Sequence, residues 1–361
     1  MPVLRPRPRS EPGLAALAAL FLVAAPEARA AALEDSLRGA SDLALAAAAR
    51  LNARIEDVRD PGITAMSGVD LDLRIDRTQV DRTLDPFLEA PEPDLPTLFW
   101  DNDFEGRPAP SSELEVSRRL TSDGSGDVWG SGVVEFGRNV DGMIAARRSR
   151  ADIATGLDVS LSARATTGAA LGLNRAAIDG AGNLDLPTLS TYGTFAPTPH
   201  SYLDVTAGVG PLRTSATDAG QPIASGEAGF ATATYGSRFA VGPLTLSPYA
   251  RMESAVVRAL PRDGAWSGPL LASRTSAVTG VKTSRVIRRQ GATIAPALRL
   301  EMREDVARAR SLGRRVSQEL TVAPEIEAEL APHWTARLEH RSRFGGDGDT
   351  RSLQIRLETK F

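Results

Sequence analysis

The last twelve residues of the chain alternate between apolar and polar side chains. Leu353, Ile355, Leu357 and Phe361 fall on one face of a strand, and charged or polar residues fall on the other. A period of two separates the two kinds of side chain in a β-strand. An apolar face that ends in an aromatic residue is typical of bacterial outer-membrane barrels, whose aromatic residues lie at the membrane interfaces. We therefore predict that these four residues form a barrel-assembly signal.

The same alternation recurs along about two thirds of the chain, from residue 127 to the end. Several segments reach or pass the roughly ten residues that cross a bilayer. The sequence therefore predicts an all-β fold: a transmembrane antiparallel up-and-down β-barrel of about twelve strands, preceded by one N-terminal α-helix. The predicted strands lie near residues 127–138, 150–161, 164–176, 187–196, 201–212, 223–236, 243–258, 272–286, 291–303, 315–330, 333–344 and 350–361.

The connections between these strands alternate in length, with short joins between longer polar or Gly-rich ones. A membrane barrel has short turns at its periplasmic rim and longer loops at its outer rim. A soluble periplasmic or secreted β-protein acting as a binding module has no reason to sort its loops in this way. The longer connections are predicted at residues 139–149, 177–186, 213–222, 259–271 and 304–314.

Two regions open the chain. Residues 1–30 predict a signal peptide, because arginines precede an apolar core and small residues surround the expected cleavage site. Residues 31–62 contain an amphipathic helix over 33–59, in which apolar side chains recur at three- and four-residue spacing.

A linker over residues 63–126 separates this helix from the barrel domain at 127–361. Residues 85–110 hold six prolines and predict an irregular loop. On either side, segments 69–76 and 113–120 alternate in polarity and are able to pair as an extra hairpin.

Composition excludes several classes of site. The chain has no Cys, which excludes a disulfide framework and a Cys-based zinc site. It has a net charge of −3 from nearly balanced acids and bases, so nothing favours nucleic-acid binding. No stretch of eighteen apolar residues is present to form a transmembrane helix.

The titratable residues give no catalytic pattern. His200 and His333 fall in predicted turns, and His340 lies on a predicted strand between Glu339 and Arg341. Residues 345–350 predict a hairpin turn rather than a calcium loop, because further spaced acids are missing. We therefore predict no enzyme activity, no catalytic residue, no cofactor and no metal.

A series of motifs follows the predicted strands. In chain order they are Gly156-Leu-Asp158, Gly168-Ala-Ala-Leu-Gly172, Tyr192-Gly-Thr-Phe195, Ser201-Tyr-Leu-Asp-Val-Thr-Ala-Gly-Val-Gly210 and Leu244-Thr-Leu-Ser-Pro-Tyr-Ala-Arg251. This order resembles the C-terminal β-domain of autotransporters, the translocator of type V secretion, over roughly residues 127–361. The last strand departs from the family pattern, since Arg356 and Thr359 stand where members usually have a Gly and an aromatic residue.

The resemblance implies a translocator or anchor for a short N-terminal segment in the outer membrane of a Gram-negative bacterium, reached after export. It also implies contact with lipid, with the barrel-assembly machinery and with periplasmic chaperones; we expect a monomer. The helix over 33–59 corresponds to the family's pore helix. The alternative is a stand-alone outer-membrane channel in which residues 31–126 act as a plug.

A pore helix needs partners for its charges. We expect the arginines of the helix to face glutamates that project inward from one late strand. The arginines are Arg38, Arg50, Arg54 and Arg59, and the glutamates are Glu319, Glu325, Glu327 and Glu329.

Overall fold

The structure is a computed structural model, in which one helix is followed by antiparallel strands. It describes residues 12–59, 68–79, 109–119, 125–141, 144–178, 182–215, 222–262, 269–289, 292–309, 313–331, 334–345 and 349–360. The elements are α1 (Pro12–Arg59), β1 (Gly68–Gln79), β2 (Ala109–Arg119), β3 (Gly126–Asp141), β4 (Ile144–Ser162), β5 (Ala165–Ile178), β6 (Gly182–Thr198), β7 (Ser201–Ser215), β8 (Pro222–Ser237), β9 (Phe239–Val241), β10 (Leu244–Pro261), β11 (Leu270–Ser284), β12 (Ile287–Arg289), β13 (Ala292–Ala309), β14 (Gly313–Ala331), β15 (Trp334–Gly345) and β16 (Asp349–Lys360).

The strands pair in the order of the sequence. Among the described residues, fourteen long strands each pair with two long neighbours, while the short strands β9 and β12 pair with β10 and β13. β16 pairs with β1 and β11 pairs with β13, so the order of pairing returns to the strand from which it starts. This is the strand order of an up-and-down barrel.

The all-β antiparallel architecture with one N-terminal helix is confirmed, but the prediction of about twelve strands is too low. All twelve segments predicted after residue 127 form strands, and the two segments of the linker form the hairpin β1–β2. This hairpin lies between β16 and β3, with Gly68 opposite Lys360. The sheet therefore begins at Gly68 and contains two more long strands than the twelve that the sequence predicts.

The strands have one apolar outer face and one polar inner face. Leu171 and Leu173 lie on one face of β5 and are 61% and 62% exposed, whereas Asn174, on the opposite face, is buried. On β14, Ile326 is exposed and its neighbour Glu325 is buried. A surface that exposes large apolar side chains and buries polar ones is inverted relative to a soluble protein, and it matches a barrel wall in lipid. Both strands therefore show the alternation that the sequence predicts for them.

Several strands are longer than a bilayer requires. β4 and β14 contain 19 residues each, whereas roughly 9–11 residues cross a bilayer. The long loops predicted at 139–149 and 304–314 are consequently wrong over most of their length, since β3 continues to Asp141 and β4 begins at Ile144. Continued pairing satisfies the backbone N–H and C=O groups of both strands, so the ladder extends beyond the membrane.

The barrel has two rims, which we name by the ends of β1. At the terminal rim β1 begins and β16 ends, and the β4–β5 and β6–β7 connections lie at the same rim. Those two connections are residues 163–164 and 199–200. At the distal rim β1 ends, and residues 80–108 lead from it to β2.

The helix α1 begins at Pro12 and not at the predicted residue 33. Ala and Leu are strong helix formers and dominate residues 13–25, so the helix continues through the region assigned to the signal peptide. Cleavage of a signal peptide stays a prediction. Among the described residues, no helix combines the length and the apolarity that a membrane-spanning helix needs.

One face of α1 packs against half of the barrel wall. Leu43, Leu51 and Ile55 are buried in one cluster with Leu184 and Leu186 of β6. The helix contacts the consecutive wall strands β5, β6, β7, β8, β10 and β11. Burial of each such side chain contributes about 1.5–3 kcal/mol, so this apolar contact holds the helix to that half of the wall.

Candidate functional site

The candidate functional site is the set of wall residues that hold α1 in the barrel lumen, which we call the seat of the helix. Two arginines of the helix pair with buried aspartates on β4. Arg50 lies 2.9 Å from Asp152. Arg54 donates to one carboxylate oxygen of Asp158 from Nε at 2.9 Å and from Nη2 at 2.6 Å. Desolvated charges are tolerated only when paired and hydrogen bonded, so these contacts fix the helix against β4.

A hydrogen-bonded pair of aromatic residues supports Asp158. The Trp129 indole donates to the Tyr192 hydroxyl at 2.6 Å, and that hydroxyl donates to Asp158. The two rings meet edge to face, with centroids 6.2 Å apart. Glycines on neighbouring strands make room for both rings: a Cβ at Gly156 would lie 2.6 Å from Trp129, and one at Gly168 would overlap Tyr192.

The end of the helix has a similar seat on β7. Arg59 pairs with Asp204, which also accepts a 2.6 Å hydrogen bond from Thr194. The Arg59 guanidinium lies over the ring of Tyr202, 3.5 Å from its centroid. A Cβ at Gly236 would overlap that ring. A cation over an aromatic face adds to the ion pair, and more so where both are desolvated.

Acidic residues of α1 face basic residues on β11 and β13. Glu56 lies 2.7 Å from Arg299 on β13 and 3.5 Å from Lys282 on β11. Nearer the start of the helix, Asp42 lies 2.7 Å from Arg274 on β11. The helix therefore presents arginines to an acidic side of the lumen and carboxylates to a basic side.

The predicted partners of Arg50, Arg54 and Arg59 are wrong, because these arginines pair with aspartates of β4 and β7. Glutamates of β14 pair instead with the neighbouring strand, since Arg337 lies 3.3 Å from Glu325 and 3.2 Å from Glu327. Arg343 lies 3.8 Å from Glu319. These glutamates already have cationic neighbours on β15, so the arginines of α1 gain more from the aspartates of β4 and β7.

The contacts of α1 surround it. Asp152, Asp204 and Arg299 lie on β4, β7 and β13, and Asn52 accepts a 2.8 Å hydrogen bond from Thr232 on β8. Asp57 reaches Arg356 on β16, at 3.9 Å. A helix that touches strands from all parts of the ring lies inside it.

The same contacts give the direction of the helix. Arg274, the partner of Asp42, lies four residues from the start of β11, and that start is at the distal rim. Asp204, the partner of Arg59, lies three residues from the start of β7, at the terminal rim. The helix therefore enters from the distal rim and ends at the terminal rim.

A cavity of about 530 Å³ lies beside the helix and is lined by residues of β4, β7, β8, β10, β11, β13, β14 and β15. The helix borders it from Asp42 to Arg59. Ala46, Ala49 and Ala53 form the side of the helix that faces the cavity. Their small side chains leave space where larger ones would fill the lumen.

The residues predicted as an assembly signal lie on β16. Leu353, Ile355 and Leu357 are 40%, 43% and 37% exposed, as expected for the outer face. Phe361 lies outside the described residues. An assembly role stays a prediction for all four.

The histidines do not form a site with one another in the described part of the chain. His200 is exposed in the β6–β7 turn, and His340 lies 3.1 Å from Ser342 on β15. His333 lies outside the described residues. No group of three or more metal-ligating side chains occurs among the residues that were described.

Comparison of the sequence with known protein families identifies the family of this chain. Residues 128–313, just over half of the chain, match the autotransporter β-domain. The chain belongs to the autotransporter family. The matched residues run from β3 to the start of β14, and they carry the aspartates, glycines and aromatic residues that seat the helix.

Solved structures similar to this autotransporter β-domain share little sequence with it. The translocator domain of NalP from Neisseria meningitidis is 13% identical, with a TM-score of 0.45, over 89% of this chain and 98% of that one. The β-domain of the Bordetella autotransporter BrkA is 14% identical, with a TM-score of 0.41, over 82% and 100%. The monoaromatic hydrocarbon channel CymD is 11% identical, with a TM-score of 0.47, over 82% and 89%. No curated protein matches the sequence significantly.

The wall residues that hold the helix were not predicted from the sequence. Asp158, Tyr192 and Asp204 lie within the family motifs, and Trp129 and Asp152 lie outside them. Their signal was present, because each falls on the polar face of an alternating strand. A charged residue at such a position in a barrel with a pore helix is a candidate partner for that helix.

Proposed function

We propose that the protein is an outer-membrane barrel that translocates and anchors its own short N-terminal segment. The observation that supports this best is the direction of α1, with Asp42 toward the distal rim and Arg59 at the terminal rim. Any segment before Asp42 is then delivered to the distal rim. The chain returns through the lumen as α1 and enters the wall at Gly68, at the terminal rim.

We assign the distal rim to the cell surface. Outer-membrane barrels have short periplasmic turns and longer outer loops. Residues 80–108 join two strand ends at the distal rim, and residues 163–164 and 199–200 join strand ends at the terminal rim; the distal rim also has the short connection 142–143. After removal of residues 1–30, the displayed segment would consist of residue 31 and the few residues that follow it, in place of a long passenger.

The remaining elements of the proposal concern assembly. The protein is exported by its signal peptide in a Gram-negative bacterium, escorted by periplasmic chaperones and inserted by the barrel-assembly machinery. The apolar outer face contacts outer-membrane lipid. We expect the folded protein to be a monomer.

The alternative is a stand-alone channel in which residues 31–126 form a plug. Within that range, β1 and β2 belong to the wall, so α1 is the described element that could act as the plug. In this alternative nothing requires the N-terminal segment to reach the cell surface. The two functions therefore differ in where that segment is found.

Accessibility of epitope tags on intact cells tests the proposal. One tag is inserted after Ala31, and a second version carries the same tag between Arg59 and Gly68. We expect protease or antibody to reach the first tag on intact cells, and the second only after the outer membrane is permeabilised. Protection of both tags in a folded, outer-membrane-located protein would overturn the proposal, whereas heat-modifiable mobility on a denaturing gel controls for folding.

A further inference from the structure

The cavity beside α1 extends along the helix. It is bordered by the helix from Asp42 to Arg59. At 1.5 Å per residue this stretch is about 25 Å long, which equals the height of about 25 Å of the apolar band of an outer-membrane barrel. The cavity is therefore long enough to connect the two sides of the membrane while the helix is in place.

The residues that line this cavity include more basic than acidic side chains. Among the described residues that line it, nine are Arg or Lys and six are Asp or Glu. Arg251, Lys282 and Arg303 are examples from β10, β11 and β13, and Arg341 and Arg343 come from β15. A narrow cleft lined by an excess of one charge concentrates ions of the opposite sign, and basic pore linings select anions.

The position of the helix preserves this excess. Arg50 and Arg54 pair with Asp152 and Asp158 on β4, and neither arginine borders the cavity. The helix side that borders it carries Ala46, Ala49 and Ala53, which fill little of the lumen. The helix thus covers Asp152 and Asp158, while the cavity beside it keeps an excess of basic side chains.

We propose that this cavity is a passage for small anions, inorganic or carboxylate- and phosphate-bearing, that stays open while the helix is seated. This inference goes beyond the proposed anchor function and does not depend on it, because a barrel can display a segment whether or not it conducts. The class of permeant solute follows from the guanidinium and ammonium groups along the wall, which bind carboxylate and phosphate oxygens well.

The test is the reversal potential of the full mature protein in planar bilayers under a potassium chloride gradient. We expect chloride to be more permeant than potassium. The ion pair between Arg343 and Glu319, 3.8 Å apart on the cavity wall, supplies two matched variants. Arg343→Gln and Glu319→Gln break the same contact but change the charge of the cavity in opposite directions.

The two variants separate electrostatics from structural damage. We expect Arg343→Gln to lower the chloride-to-potassium permeability ratio by roughly twofold and Glu319→Gln to raise it by a similar factor. Arg175→Gln removes an exposed arginine paired with Asp185 outside the cavity and leaves the ratio unchanged. A cation-selective wild type, a wild type that does not conduct, or shifts of the permeability ratio in the same direction in both cavity variants would overturn the inference. None of these results would affect the tag experiment.

Discussion

Replacement of Arg54 by Gln is expected to loosen α1 from its seat more than any change at an exposed pair. The side chains of Arg54 and Asp158 are each 5% exposed, and the substitution leaves the aspartate with the Tyr192 hydroxyl alone. Removal of one partner of a buried ion pair costs about 3–5 kcal/mol. At about 1.4 kcal/mol per factor of ten, the helix should open roughly two to three and a half orders of magnitude more often.

Amide hydrogen exchange in the second half of α1 measures this opening free energy directly. Asp42→Asn is the matched control, because its pair with Arg274 is about one third exposed and Arg274 keeps Asp305 at 2.7 Å. We expect that control to cost at most about 1 kcal/mol.

A double variant completes the test of this ion pair. Arg54→Gln with Asp158→Asn leaves no uncompensated charge, so it should exchange more slowly than Arg54→Gln alone. The reasoning fails if Arg54→Gln and Asp42→Asn accelerate exchange equally, or if the double variant is the worst of the three.

Three further predictions concern the wall. Gly156→Ala places a Cβ 2.6 Å from a buried indole and should destabilise the barrel by about 1–3 kcal/mol, whereas Gly130→Ala, with 3.8 Å of clearance, should be tolerated in the same urea titration. Leu171→Arg, in the middle of the outer face, should cost about 2–4 kcal/mol of unfolding free energy in lipid, against about 0–1 kcal/mol for Leu161→Arg near the terminal rim; equal costs would show that this face does not meet lipid. Deletion of Phe361 should reduce the amount of protein assembled in the outer membrane, and normal levels would refute the assembly role of the C-terminus.

The wall of the barrel was predictable because its rule is local. A strand in lipid must alternate apolar and polar residues with a period of two, so each strand can be recognised from its own sequence. The faces of β5 and β14 follow this rule directly, as Leu171 and Ile326 show. The sequence left the pairing of β1 with β2 undecided, because residues 80–108 separate the two strands.

The partners of the helix were not predictable in the same way. Whether Arg54 meets Asp158 or a glutamate of β14 depends on the rotation of the helix inside the ring, and periodicity does not determine a rotation. The apolar contact with β6 and the pairing of β14 with Arg337 decide between these arrangements. Both are long-range contacts that no single segment reveals.

The predicted loop lengths were wrong for a different physical reason. Polar and Gly-rich residues at 139–149 suggest a loop, but polarity outside the membrane is compatible with a strand whose two faces are both in water. The β3–β4 ladder consequently continues through this region, to Asp141 opposite Ile144. Composition indicates where the bilayer ends and does not indicate where the strand ends.

The central claim is that α1 occupies the lumen, and cross-linking between helix and wall tests it most directly. The chain has no Cys, so no native thiol competes with an introduced cysteine pair. Asn52 and Thr232 share a 2.8 Å hydrogen bond across the lumen, while Ala231 lies on the opposite, exposed face of the same strand. In outer membranes treated with a short bifunctional thiol reagent, we expect Asn52→Cys to cross-link with Thr232→Cys and not with Ala231→Cys. Cross-linking to Ala231→Cys, or to neither position in a folded barrel, would contradict the claim.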